Sequence, residues 1–236
     1  MNKSIATRLA AVALAGILAA CASSTEKQMD KAAEANSGFL GDYSKLKEVK
    51  DTDGKIIRGW ASPKLTPANY NAIILDPLIF YPEPKPSERV TAGTLDQIIA
   101  YTNATLKQSL GSRFKLVDQP GPGVVRLRSA FSAVAAEGES LSAYQYVPLA
   151  FVATVTTRAM AGTPQRAFLV VESEIKDSVS NEVLAQRVRL ASGEGIRRTV
   201  AEGGTEQITF ETVKPLVDEL AKRAYPELEK YVKPIK

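Results

Sequence analysis

Val124-Val125-Arg126-Leu127-Arg128-Ser129-Ala130-Phe131-Ser132-Ala133-Val134 decides the fold class of this chain. Val125, Leu127, Ser129, Phe131 and Ala133 fall on one side of it, and Arg126, Arg128 and Ser132 on the other. Side chains alternate across a strand with period two, so this is a half-buried strand. On this reading Arg126 and Arg128 form a solvated face rather than an anion site.

Working toward the N-terminus, Asp118-Gln119-Pro120-Gly121-Pro122-Gly123 is a rigid turn. Phe114 to Val117 is a short strand before it. Leu95, Ile98, Ile99, Thr102, Leu106 and Leu110 recur at spacings of three and four, which predicts a helix from Thr94 to Leu110. Thr94 is the expected cap and Gly111 the expected left-handed stop. Tyr70 to Tyr81 is short, apolar and β-branched, a buried strand that Pro77 interrupts. Pro82, Pro84 and Pro86 end it. Further back, Asp51-Thr52-Asp53-Gly54-Lys55 is a turn, followed by a short strand with Ile56, Ile57 and Trp60. It lacks the downstream acidic ligand of a calcium loop. Ser37-Gly38-Phe39-Leu40-Gly41-Asp42-Tyr43-Ser44 reads as a loop that plugs Phe39, Leu40 and Tyr43 into the core.

Working toward the C-terminus, Ala135 to Tyr146 is a connection, and Val147 to Ala161 is apolar with few charges. That stretch is either a helix or loop against the sheet or an exposed apolar surface. Arg166 to Asp177 alternates again and forms a hairpin with Val183 to Leu190. Ser192 to Gly204 is a glycine-rich loop. Thr209 to Ala224 is a closing helix with Phe210, Val213, Leu216, Val217 and Leu220 on one face and Pro215 within it. The fold class is therefore α/β, an α+β sandwich: a mixed, mostly antiparallel sheet with helices packed on one face.

The first residues are of a different kind. Lys3 and Arg8 precede an apolar run from Leu9 to Leu18, and Leu18-Ala19-Ala20 leads into Cys21, the one cysteine of the 236-residue chain. This is a secretory signal. Its apolar run is shorter than the roughly 20 residues that span a bilayer. The ending resembles a bacterial lipobox, which implies cleavage before Cys21 and attachment of fatty acyl groups such as palmitate to its thiol and new amino group. Ala22 and Ser23 follow with no aspartate, which by resemblance to the Gram-negative sorting rule favours the outer membrane. The expected organisation is a signal peptide over 1–20 and the lipidated cysteine with a flexible tether over 21–37. A single domain over 38–225 and a peripheral tail over 226–236 complete it. Extended, the tether reaches about 50 Å.

Composition narrows the chemistry. The chain has no histidine, and its one cysteine is the acylation site. Histidine- or cysteine-based zinc sites, the Ser-His-Asp arrangement and the commonest neutral-pH general base are absent. No nucleotide-binding loop is present. Removing Lys3 and Arg8 from a chain of formal charge +4 leaves +2 with the basic residues scattered, which argues against nucleic acid. Asp76, Asp118 and Asp177 sit at strand ends and suit turns without any chemistry.

Several of these segments carry a resemblance. Ser37-Gly38-Phe39-Leu40 with Asp42-Tyr43-Ser44, Leu75-Asp76-Pro77 with the helix to Leu110, and Val117-Asp118-Gln119-Pro120-Gly121-Pro122-Gly123-Val124 are similar to domain-of-unknown-function family 3313, a group of bacterial lipoproteins. The Asp177-Ser178 hairpin turn and the segment from Arg189 to Gly195 resemble it too. The likeness covers Ser37 to Ala224 and implies a location and a fold, with no catalytic or binding residue to carry over.

The expected function is a non-catalytic binding or assembly module, with no enzyme activity and no cofactor. It faces the periplasm and is anchored in the bilayer through acylated Cys21. It meets an envelope protein or a second copy through sheet edges and the apolar stretch from Leu149 to Met160. The alternative is a small-molecule or lipid carrier with a cavity between sheet and helices, lined by Phe131, Phe151 and Leu169. Cys21 is the one site residue assigned.

Overall fold

In the computed structural model, residues 36–84, 86, 91–136, 167–192 and 209–235 are described. Cys21, the tether to residue 35 and the apolar stretch over 147–161 lie outside them. So does most of the glycine-rich loop. The described strands are β1 (Lys47–Lys50), β2 (Ile56–Ala61), β3 (Ala72–Leu75), β4 (Ile79–Phe80), β5 (Lys115–Leu116), β6 (Val124–Ala136), β7 (Ala167–Asp177) and β8 (Val183–Ser192). The helices are α1 (Ala92–Gly111) and α2 (Phe210–Glu229). The sheet order is β1-β2-β8-β7-β6-β3-β5, with β4 beside the far half of β6. The β1–β2, β2–β8, β8–β7 and β7–β6 pairs are antiparallel. The β3–β6, β4–β6 and β3–β5 pairs are parallel. Parallel neighbours need a crossover, and α1 supplies it between β3/β4 and β5/β6. This is the α+β class expected, with both helices on one face.

Pro77 breaks the first expected strand into β3 and β4, as its missing N–H requires. Asn103 of α1 repairs the gap. Its Oδ1 accepts from the Leu78 N–H at 2.7 Å, and its Nδ2 donates to the Leu78 carbonyl at 3.0 Å. The helix thereby satisfies a backbone unit that the sheet cannot. Helix α1 begins earlier than expected: Thr91, not Thr94, is its cap, and the Thr91 hydroxyl accepts from the Thr94 N–H. Gly111 is not a left-handed stop, because the helix ends through Ser112 in right-handed geometry. The predicted apolar face is the buried one: Leu95, Ile98, Thr102, Leu106 and Leu110. Each fully buried leucine contributes about 1.5–3 kcal/mol.

Helix α2 runs past the expected end, through Pro226 to Glu229. The segment expected to be a peripheral tail is instead part of the core: Leu228 and Val232 are buried. The Lys233 and Ile235 N–H groups donate to the carbonyls of Tyr70 and Arg113. Alternating charge and proline hide this element, because Leu228 and Val232 are its buried apolar residues. Ser109 of α1 donates to the Ala221 carbonyl, and Tyr101 of α1 donates to Asp218, so the helices are joined by polar contacts as well as apolar ones.

The opposite face of the sheet is covered by the Ser37–Ser44 loop. Phe39 and Leu40 are buried against Ala130, Val170 and Val188. The loop is held by two carboxylates that alternation alone would place in solvent. Glu172 is fully buried, and its Oε2 accepts from the Tyr43 hydroxyl at 2.6 Å. Glu174, also buried, accepts from Arg128 at 2.7 Å and from Gln186 at 3.0 Å. Arg128 in turn donates to the Phe39 carbonyl at 3.0 Å and lies 4.5 Å over the Phe39 ring. So Arg128 is not part of a solvated face; it is the bridge between loop and sheet. Gly38, at φ +97°, makes the bend that admits Phe39. Burial and the Glu172 carboxylate push the Tyr43 hydroxyl above its ordinary pKa, so it remains a donor.

Candidate functional site

The helix-facing side of the sheet carries one row of small or polar residues between bulky rows. Ser129 of β6 pairs with Ser173 of β7, Ser173 with Arg187 of β8, and Arg187 with Gly59 of β2. On one flank the row reads Leu127, Ile175, Ala185 and Ala61. On the other it reads Phe131, Val171 and Arg189. Two serines and a glycine leave volume that leucines would fill. The helices pack on the flanks, so the row remains as a channel of about 290 Å³. Leu106 and Leu110 of α1 and Leu220, Ala224 and Leu228 of α2 roof it. Ser129 and Ser173 line it, and neither hydroxyl has a hydrogen-bond partner among the described residues.

The β2 end of the channel is charged. Arg187 pairs with Glu227 and donates to the Tyr231 hydroxyl at 3.3 Å. Glu227 also accepts from the Thr52 N–H and lies 3.7 Å from Lys230. Burial opposes the charged form of Glu227, but Thr52 and Arg187 outweigh it and bring its pKa down to about 2. Arg189 lies 3.0 Å from Asp51 and 3.5 Å from Asp53, and Arg223 lies 3.2 Å from Asp53. Burial lowers the Arg189 pKa, and Asp51 opposes that shift. The Asp51–Lys55 turn, read from sequence only as a turn, therefore straps the β1–β2 hairpin to β8 and α2. Every guanidinium at this end is matched by a carboxylate. The arrangement can shelter an apolar group and offer hydroxyls to a polar one.

The carboxylates at strand ends do not converge. Asp76 pairs with Arg126 at 3.5 Å beside the inner end of the channel. Asp177 accepts from the Val179 and Ser180 N–H groups and from the Tyr70 hydroxyl, and these bonds hold its pKa below the usual carboxylate range against desolvation. Asp118 sits in the loop after β5. Among the described residues, no group of three or more His, Cys, Asp or Glu is placed to hold a metal. The lining expected for a cavity is corrected in detail. Phe131 belongs to the packed cluster beside the channel, Phe151 lies outside the described residues, and so does the side chain of Leu169. Ser129 and Ser173 were the signal: both fall on the apolar side of their strands in the sequence alternation, where a hydroxyl is out of place.

Residues 35–224 match the family described as "Protein of unknown function (DUF3313)". The chain is 34% identical over 211 residues to the uncharacterized lipoprotein YdcL of Escherichia coli K12. The match covers 89% of this chain and 90% of that one, and the O157:H7 protein of the same name matches equally. Among solved structures, the hypothetical protein CT253 from Chlamydia trachomatis is similar with TM-score 0.37 and 11% identity, over 67% of this chain and 98% of its own. The PelC dodecamer from Paraburkholderia phytofirmans is similar with TM-score 0.34 and 10% identity, over 75% and 97%. No helix of the described residues is long and apolar enough to cross a membrane. The chain belongs to the DUF3313 family.

Proposed function

We propose that the protein is a non-catalytic outer-membrane lipoprotein whose periplasmic domain carries an apolar or amphipathic small molecule in the channel between sheet and helices. The channel carries this reading: about 290 Å³ of space lined in part by leucines, with two hydroxyls on its floor that have no partner among the described residues. A ligand site of this kind is concave and mostly apolar, with a few polar groups. The lipobox at Leu18-Ala19-Ala20-Cys21 and the lipoprotein relative support the anchor. Ala22 and Ser23 support the outer membrane. The lack of any histidine, and the separate places of Asp76 in an ion pair and Asp177 in a turn, support a role without catalysis. The reading as a protein-assembly module rests on sheet edges and on the stretch from Leu149 to Met160, and that stretch lies outside the described residues. The channel supports ligand carriage as the leading reading.

The test uses the full mature chain with Cys21→Ser, which needs no detergent and leaves every described residue in place. Titration with the apolar dye N-phenyl-1-naphthylamine should give a fluorescence rise that saturates at one dye per chain. Ser173→Leu, which fills the floor, should abolish it while circular dichroism shows a folded protein. No rise in the parent chain, or an equal rise in a folded Ser173→Leu chain, would contradict the proposal.

A further inference from the structure

We infer that the channel takes a single acyl chain of about ten carbons that ends in an uncharged, hydrogen-bonding head, as in a medium-chain monoacylglycerol. The inference rests on the carrier reading and names its ligand class.

Three observations carry it. The first is shape. The small-residue row runs perpendicular to the strands, from Gly59 on β2 to Ser129 on β6. That crosses three strand gaps, about 14 Å at ordinary sheet spacing. It is one residue wide, because Leu127 and Ile175 flank it on one side and Phe131 and Val171 on the other. A narrow groove suits one extended chain better than two chains or a fused ring system.

The second is size. An apolar cavity of roughly half this volume already accommodates benzene, and water takes about 30 Å³ in the liquid. By comparison with that benzene-sized cavity, about 290 Å³ suits a chain of about ten carbons.

The third is charge. Ser129 and Ser173 each offer a donor and acceptor sites to a hydroxyl, ester or amide. The guanidinium groups at the β2 end are already engaged: Arg187 by Glu227, Arg189 by Asp51, and Arg223 by Asp53 and Glu219. Lys50 and Lys230 also line this end, Lys230 at 3.7 Å from Glu227. An anionic head seated on Arg187 would have to displace Glu227, which is buried, and leave that carboxylate without its partner. Stranding a buried charge is strongly unfavourable. A neutral head disturbs none of these pairs.

The test is competition against the bound dye in the Cys21→Ser chain. The probes are monoacylglycerols of six to fourteen carbons and the fatty acids of matching length at pH 8. Monoacylglycerol affinity should rise about fourfold per methylene and level off near ten carbons. Decanoate should bind at least tenfold more weakly than monodecanoylglycerol. Ser129→Ala/Ser173→Ala should weaken monodecanoylglycerol about tenfold, as loss of two neutral hydrogen bonds implies, while circular dichroism shows a folded protein. If the dye binds but decanoate competes as well as the glyceride, or affinity climbs steadily to fourteen carbons, this ligand class is wrong and the carrier reading stands. If neither dye nor any lipid binds, the carrier reading itself has failed.

Discussion

Glu174→Ala should be among the most damaging single substitutions in the domain. The Glu174 side chain is 1% exposed and accepts from Arg128 at 2.7 Å, Lys176 at 3.1 Å and Gln186 at 3.0 Å. Removing one partner of a buried pair costs roughly 3–5 kcal/mol, because the other is left uncompensated. Arg128 keeps about a third of its side chain in water, so the low end applies, about 3 kcal/mol. Domains of this size lose about 2–4 °C in Tm per kcal/mol, so the fall should be about 6–12 °C. The effect should also be local. Arg128 and Gln186 hold the carbonyls of Phe39 and Leu40, so the Ser37–Ser44 loop should lose hydrogen-exchange protection before the rest of the sheet. Thermal melts and exchange mass spectrometry read both effects. Replacing both charges with Arg128→Met/Glu174→Met should recover most of the loss, since a well-packed apolar pair can substitute for a buried ion pair. The double-mutant cycle should give a coupling of about 2 kcal/mol. A loss below about 1 kcal/mol, the scale of a surface pair, or strict additivity, would refute this reasoning.

Three further substitutions test other parts of the account. Asn103→Leu removes both bonds to Leu78 and should cost about 2 kcal/mol by urea denaturation; a neutral result would mean that the β3–β4 break needs no repair. Glu227→Gln addresses pH. The folded pKa of about 2 lies below the ordinary value of 4.5, so its stabilisation is present above pH 4.5 and lost as pH falls toward 2. The parent chain should lose about 3 kcal/mol across that window through this group, and Glu227→Gln should flatten that part of the curve; an unchanged slope counts against the Thr52 and Arg187 contacts. Gly123→Ala places a side chain at φ +74°, 3.4 Å from the Asn69 carbonyl oxygen. It should cost about 1–2 kcal/mol, and equal stability by the same denaturation would show that the turn before β6 relaxes.

Much of the architecture was legible because alternation and three-four spacing are local signals. Val125, Leu127 and Phe131, and the α1 stripe from Leu95 to Leu110, lie inward as their spacing requires. What alternation could not show is the second buried face. Glu172 and Glu174 fall on the side that a half-buried strand gives to water, and only the loop around Phe39 turns that side into interior. The same blindness applies to β1, whose Lys47-Glu48-Val49-Lys50 has no apolar pattern because it is an exposed edge strand. The end of α2 was obscured by Pro226, which does not break the helix. The channel was partly legible, since Ser129 and Ser173 stand on apolar faces. Their pairing across β6 and β7, with Gly59 completing the row, depends on register, and register is set by long-range strand pairing.

Native mass spectrometry of the protein isolated from its own host tests the central claim most directly. Expressed with Cys21→Ser so that no detergent enters the channel, the chain should carry one small apolar adduct per molecule, released on denaturation and absent from folded Ser173→Leu. A bare mass in gentle conditions, together with no uptake of added monodecanoylglycerol, would contradict the account.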